Sequence, residues 1–173
     1  MHTLRVDGLV LEPQTAVHAA EMFVLLSDPA LYPYLDDGPP QDEAWLAARF
    51  ARLETRLSAD GSQHWLNWVI RAPQHGLVGF VQGTVYADGS ANVAYLLGSA
   101  FRGRGWATRS TATLLQELAD HYAVQRAFAT VDKRNLDSIK LVTRLGFAII
   151  DAKHHPHHGV AAGDWLLLRE PLF

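Results

Sequence analysis

Apolar and polar residues alternate from Leu4 to Glu12, with Leu4, Val6, Leu9 and Leu11 flanking Asp7-Gly8. A period of two predicts a strand with a turn or bulge at the glycine, closed by Pro13. The period then lengthens. Val17, Ala20, Phe23, Val24 and Leu26 recur at helical spacing over 16–26, and Asp28-Pro29 ends that helix because proline disfavours helical backbone in the residue before it. Residues 32–40, Tyr-Pro-Tyr-Leu-Asp-Asp-Gly-Pro-Pro, form a turn-rich loop. Asp42 is placed to cap a second helix with Trp45, Leu46, Phe50, Leu53 and Leu57 on its apolar face.

Strands are predicted over 65–71, 77–86 and 91–97, joined by turns at 73–76 and at Asp88-Gly89. A helix over 111–122 buries Leu114, Leu115 and Leu118, and a short strand covers 127–131. The helix over 135–145 stops at Gly146, a residue suited to the left-handed position after a helix. Strands over 147–150 and 165–168 complete the order β-α-α-β-β-β-α-β-α-β-β. Three meander strands followed by alternating elements predict an α/β fold: a mixed sheet with helices on both faces.

Length and composition narrow the classes. The 173 residues suit one domain, spanning 1–173. A net charge of −3 argues against a nucleic-acid binder that depends on broad phosphate neutralisation. The absence of cysteine removes disulfides, thiolate zinc sites and a cysteine nucleophile. No apolar run approaches the ~20 residues a membrane span needs, and the first residues lack a basic-then-apolar signal pattern. These features imply a cytoplasmic protein with neither a membrane nor a nucleic acid as partner.

The most informative segment is Arg102-Gly103-Arg104-Gly105-Trp106-Ala107, which links the strand ending at Leu97 to a helix pattern beginning near Thr108. Glycines let backbone approach a ligand closely, and a helix start aims N–H groups at one point. Such a point suits a diphosphate; the same glycines also suit a plain strand-to-helix turn.

With Asn135-Leu-Asp-Ser138 and Leu145-Gly146-Phe147 some thirty residues on, this loop resembles the Arg/Gln-x-x-Gly-x-Gly/Ala signature of the GNAT superfamily of acyl-CoA-dependent N-acetyltransferases. Ser138 and the Trp-Ala-Thr after the loop are most similar to the branch that acetylates ribosomal proteins. The resemblance implies a central twisted, mostly antiparallel sheet and acetyl-CoA as co-substrate, with no metal. It implies direct attack of an amine on the thioester. Pantetheine would lie on the backbone of Leu96 and Leu97. The diphosphate would sit on Gly103, Arg104, Gly105, Trp106, Ala107 and Thr108, with Arg102 and Arg104 adding charge. Asn135 would meet pantetheine or the thioester region, cap its own helix, or both.

Two departures from the family pattern shape the chemistry. Where many relatives carry a tyrosine that protonates the departing thiolate, this chain has Val142, and Ser138 lies one turn away as a substitute donor. A helix serine can equally bond the carbonyl one turn back. Where relatives often carry a glutamate base, this chain has Asn92. The stretch His154-His155-Pro156-His157-His158 supplies groups that titrate near neutrality, with His157 and then His155 as the candidate bases; a solvated loop is the other reading. The acceptor would enter beside Tyr32, Tyr34, Asp36 and Asp37, where carboxylates attract a cationic amine and aromatics pack its stem. It would be a protein N-terminus or a small-molecule amine, antibiotics and polyamines included. A catalytically weak acyl-CoA sensor is the alternative outside the enzymes. Open edge strands leave room for a homodimer.

Overall fold

The computed structural model describes residues 1–173. One eight-stranded sheet contains β1 (Leu4–Val6), β2 (Leu9–Pro13), β3 (Gln63–Ala72), β4 (Gly76–Tyr86), β5 (Ser90–Leu97), β6 (Arg126–Asp132), β7 (Ala148–Ile150) and β8 (Asp164–Arg169). Their spatial order is β1-β2-β3-β4-β5-β6-β8-β7. Every pairing is antiparallel except β5 with β6. The helices are α1 (Ala19–Leu26), α2 (Glu43–Leu53), α3 (Trp106–Tyr122) and α4 (Leu136–Arg144).

Strand alternation divides the apolar residues between two cores. On one face Leu66, Trp68 and Ile70 of β3 pack with Leu114, Leu118 and Val142 of α3 and α4. On the other, Val69 and Leu77 meet Met22 of α1 and Leu46 and Phe50 of α2. Helices therefore cover both faces, as the pattern predicts. Burying each such large side chain contributes about 1.5–3 kcal/mol before entropy.

Several local expectations are corrected. The turn expected at Asp7-Gly8 is present, and it divides the first strand into a hairpin of two, because both residues take positive φ (44° and 81°) and turn the chain back. The first helix begins with a 3₁₀ turn at Ala16–His18, which shifts the phase of the α-helical residues after it. Ala19, Met22 and Leu26 then face inward, whereas Val17 and Val24 are 85% and 78% exposed. Trp45 and Leu57 are also partly exposed, at 43% and 40%; α2 stops at Leu53, and Arg56 beyond it takes φ 62°. Helix α3 starts at Trp106, so Trp106, Ala107 and Thr108 form its first turn.

One irregularity of the sheet matters most. Strands β5 and β6 pair only where Ser90, Ala91 and Asn92 oppose Arg126, Ala127 and Phe128. Beyond that point β5 stays with β4 as far as Leu97, while β6 stays with β8 as far as Asp132. The two strands part, and the sheet opens a gap along Val93–Leu97.

Candidate functional site

The gap exposes backbone. Gly98 N–H donates to Val78 O at 2.9 Å, so the alternation of an antiparallel ladder turns the Leu97 and Tyr95 backbone groups away from β4 and toward the opening. The Leu96 carbonyl instead lies against Gly79 of β4, where no Cβ would fit. This corrects the expectation for Leu96. Its backbone belongs to the β4 ladder, and Leu97 is the residue whose N–H and C=O face the gap.

Past Leu97, the chain reaches the glycine loop. Gly103 and Gly105 sit at φ 77° and 72°, and Gly105 is the N-cap of α3. The first backbone bond of the helix runs from Arg109 N–H to Gly105 O at 3.1 Å. None of the N–H groups from Gly103 to Thr108 has an acceptor within the protein. A Cβ built on either glycine would meet nothing within 4 Å. A run of free N–H groups at the head of a helix, bordered by open space, is an anion cradle. Arg104 remains beside it with its guanidinium 5.1 Å from the centre of the Trp106 ring. Arg102 turns away, donating to Ala30 O at 3.4 Å.

Across the gap, Asn135 caps α4, its Oδ1 accepting from Ser138 N–H at 3.1 Å. Ser138 Oγ lies 2.6 Å from Tyr95 Oη, which also donates to the Ser138 carbonyl at 3.2 Å. Burial pushes the Tyr95 phenol up to about 12, and its bond to Ser138 only partly offsets this. It therefore stays protonated at neutral pH, a buried O–H joined to the serine hydroxyl. Sequence reasoning missed Tyr95. The available signal was alternation along β5, which puts Tyr95 on the same inward face as Val93. Val142 is fully buried in the core.

The histidine loop does not reach this end of the strand. His155 is 8% exposed; its Nδ1 accepts from His157 N–H and His158 N–H, both at 3.2 Å, and its Nε2 donates to Asn92 Oδ1 at 2.8 Å. Burial, followed by the charges of His158 and His157, lowers it to about 4. Both ring nitrogens are occupied, so His155 has no lone pair for an amine proton. His157 stacks on Tyr86 at 3.5 Å between ring centres, with Nε2 2.9 Å from Ser90 Oγ and 3.4 Å from Asp88. Ser90 and Asn92, the anchors of His157 and His155, lie seven and five residues before Leu97, roughly 23 and 17 Å along an extended strand. Neither histidine can touch a group bound at Leu97. The expectation that one is the base is corrected, and so is the reading of the loop as merely solvated.

On the α1/α2 face a cavity of about 380 Å³ opens beside β5. Leu96, Phe80, Gln82 and Asn67 line its floor, and α2 and the loop between the two helices wall it. Of the four acceptor residues expected in that loop, Tyr32 and Asp37 line the cavity. Tyr32 presents its ring, because its hydroxyl donates to Leu26 O at 2.6 Å. Tyr34 and Asp36 are not among the lining residues. Tyr34 lies 5.8 Å from the Arg134 guanidinium, and the charge of Asp36 helps raise Asp164, after burial and Asp132. No cluster of His, Asp and Glu has the arrangement to hold a metal ion.

Residues 8–148 match the model of the acetyltransferase (GNAT) domain. The chain belongs to the GNAT acetyltransferase family. Its fold is similar to that of RimL, a ribosomal L7/L12 alpha-N-protein acetyltransferase solved with coenzyme A, at 17% identity, 97% coverage of each chain and a TM-score of 0.80. A ribosomal-protein-S5-alanine acetyltransferase from Vibrio fischeri gives 17%, 98% and 96% coverage, and 0.79. Spermidine N-acetyltransferase from Vibrio cholerae, solved with CoA and spermine, gives 15%, 96% and 97%, and 0.77. At these identities the likeness is one of fold. No curated protein matches the chain in sequence.

Proposed function

We propose that this GNAT acetyltransferase moves the acetyl group of acetyl-CoA to a primary amine by direct attack. The observation that carries the reading is the arrangement around the end of β5. Free N–H groups at Gly103–Thr108 adjoin the gap beside Leu97, and Leu96 forms the floor of a cavity on the opposite side. The diphosphate fits the first, pantetheine the second as an added strand, and the acceptor the third.

The neutral amine attacks the thioester carbon; the N–C bond forms, the C–S bond breaks, and the nitrogen loses a proton while the thiolate gains one. Leu97 N–H is placed to stabilise the oxyanion. Ser138, coupled to Tyr95, is placed to protonate the sulfur. Asn92 is engaged with His155 and Tyr86, so the amine proton leaves through water in the cavity, with Asp37 as its carboxylate. Fold likeness to ribosomal-protein and spermidine acetyltransferases supports amines as the acceptor class. The test is thiol release from acetyl-CoA across peptide N-termini, amino acids, polyamines and aminoglycosides. Release that depends on an amine, with acetylated product, is expected; acetyl-CoA binding with no amine-dependent release would make the protein an acyl-CoA sensor.

A further inference from the structure

The sheet-side wall of the acceptor cavity holds a feature that the transfer chemistry does not use. Gln14 follows β2, and its N–H donates to Asn67 O of β3 at 2.9 Å; Asn67 in turn opposes Gln82 of β4. Their side chains all line the cavity. Three carboxamides thus stand in a row across neighbouring strands, about 10 Å from end to end at ~4.8 Å per strand. Gln14 is 4% and Asn67 7% exposed. No protein group hydrogen-bonds to the carboxamide of Gln14, Asn67 or Gln82; Gln82 is exposed, whereas Gln14 Nε2 is enclosed without a partner. Buried polar groups are nearly always bonded, so an unmet carboxamide on a cavity wall marks a place where a ligand bonds.

We propose that Gln14, Asn67 and Gln82 are specificity-determining residues that bind an amide group carried by the acceptor beside its reactive amine. The inference rests on the acetyl-transfer reading for where that amine lies. Gln82 opposes Ala94 and Phe80 opposes Leu96, so the row starts next to the transfer point and runs away from it beneath α2. A carboxamide row offers donors and acceptors with no net charge, which is the complement of another amide. Only Asp37 and Arg49 among the lining residues are charged, one of each sign, so the cavity has no excess negative charge for a polycation. Arg49 makes no ion pair and lies 5.8 Å from the Trp45 ring. Leu35, Trp45 and Leu53 add apolar wall for a hydrocarbon substituent. The fitting acceptor is an amino amide with an apolar side group, either free or as the first residue of a peptide.

Three probes separate the terms: leucinamide, 3-methylbutylamine (the same skeleton without the amide) and spermidine. Calorimetric binding to the CoA complex and initial rates are both measured, on wild type and on Gln14→Leu and Asn67→Leu. Wild type should prefer leucinamide to 3-methylbutylamine by about tenfold or more, and each variant should reduce that preference by about five- to tenfold, one hydrogen bond's worth. The affinity for acetyl-CoA and the melting temperature should not fall, since no protein hydrogen bond is removed. A Leu-Gly-amide arm that binds more tightly than leucinamide assigns the amide to a peptide, and a weaker one assigns it to a free amino amide. Equal binding of leucinamide and 3-methylbutylamine, a preference for spermidine, or a preference untouched by both variants overturns the proposal. If leucinamide binding follows the row but no amine is acetylated, the transfer reading fails and the recognition row stands.

Discussion

The two ends of β5 differ in one respect that separates framework from chemistry. At Ala91 and Asn92 the strand is paired on both sides, and the polar side chains at this end, Ser90 and Asn92, are saturated. Asp88 accepts from Ser90 Oγ at 2.6 Å and N–H at 3.0 Å and is held at about 2. Asn92 joins Tyr86, His155 and, at 3.4 Å, His158. At Leu97 the strand has lost one neighbour, and the chain beyond it carries N–H groups with no acceptor. Residues rich in chemical potential, histidines and a carboxylate, lie at the end where everything is bonded. Residues with none, glycines and a leucine, lie where bonds are missing. Unmet hydrogen-bonding capacity, rather than residue type, marks the site.

The largest expected effect is at the open end. Gly105→Val should lower acetyl-CoA affinity by on the order of 100-fold or more, about the loss of two charge-assisted bonds. The protein has space for the side chain, so folding should survive with a backbone penalty of about 1–2 kcal/mol for the left-handed position. Calorimetric titration with a parallel melt reads both. Wild-type affinity in the folded variant would remove the cradle from the site.

Next comes the hydroxyl pair. Ser138→Ala should lower kcat by on the order of 10²–10⁴ with little change in acetyl-CoA affinity, as for a lost general acid. Tyr95→Phe should lower it less, by about tenfold, since the serine keeps its own proton but loses its partner. Single-turnover rates compared with binding constants check this. Unchanged turnover in both would assign the sulfur's proton to water.

Much of the open end was legible in the sequence, and little of the closed end was. Gly103 and Gly105 before a helical period announce left-handed backbone and free N–H groups locally, without reference to any other segment. Asn135 three residues before Ser138 likewise announces a cap. The histidine network depends instead on strand pairing that brings 155–158 onto 86–92, a relation between segments more than sixty residues apart. Tyr95 with Ser138, 43 residues on, and Gln14 beside Asn67 and Gln82 depend on long-range pairing in the same way. Val17 and Val24 show the limit within one helix: their spacing fits a buried face, but the 3₁₀ turn at its start selects the face of Met22.

The closed end predicts a pH effect on stability instead of rate. His155 titrates at about 4 in the folded protein against about 6.5 unfolded. The unfolded chain then binds more protons between those values. Its contribution is fully present above pH 6.5 and is lost as pH falls toward 4, on the order of 2–3 kcal/mol. Denaturant melts at pH 7.5 and 4.5 should show that loss in wild type and a much smaller one in His155→Gln. The acidic limb of kcat should be the same in wild type and His157→Gln. A limb abolished by that change would return a histidine to the reaction and break the contrast between the two ends.

The smallest expected effect divides a single residue between the two roles. Asn135 Oδ1 is occupied by Ser138 N–H, whereas its Nδ2 has no acceptor in the protein. The first half is framework and the second is open. Asn135→Asp keeps the cap acceptor and adds a charge favourable to a helix start, so its melting temperature should match or slightly exceed wild type. It removes the Nδ2 donor, and acetyl-CoA affinity should fall several-fold, the weight of one neutral hydrogen bond. Asn135→Ala should lose both, with about 1 kcal/mol of stability gone in addition. If Asn135→Asp binds acetyl-CoA as wild type does, the residue is a cap alone, and the open side of the gap begins at Ser138.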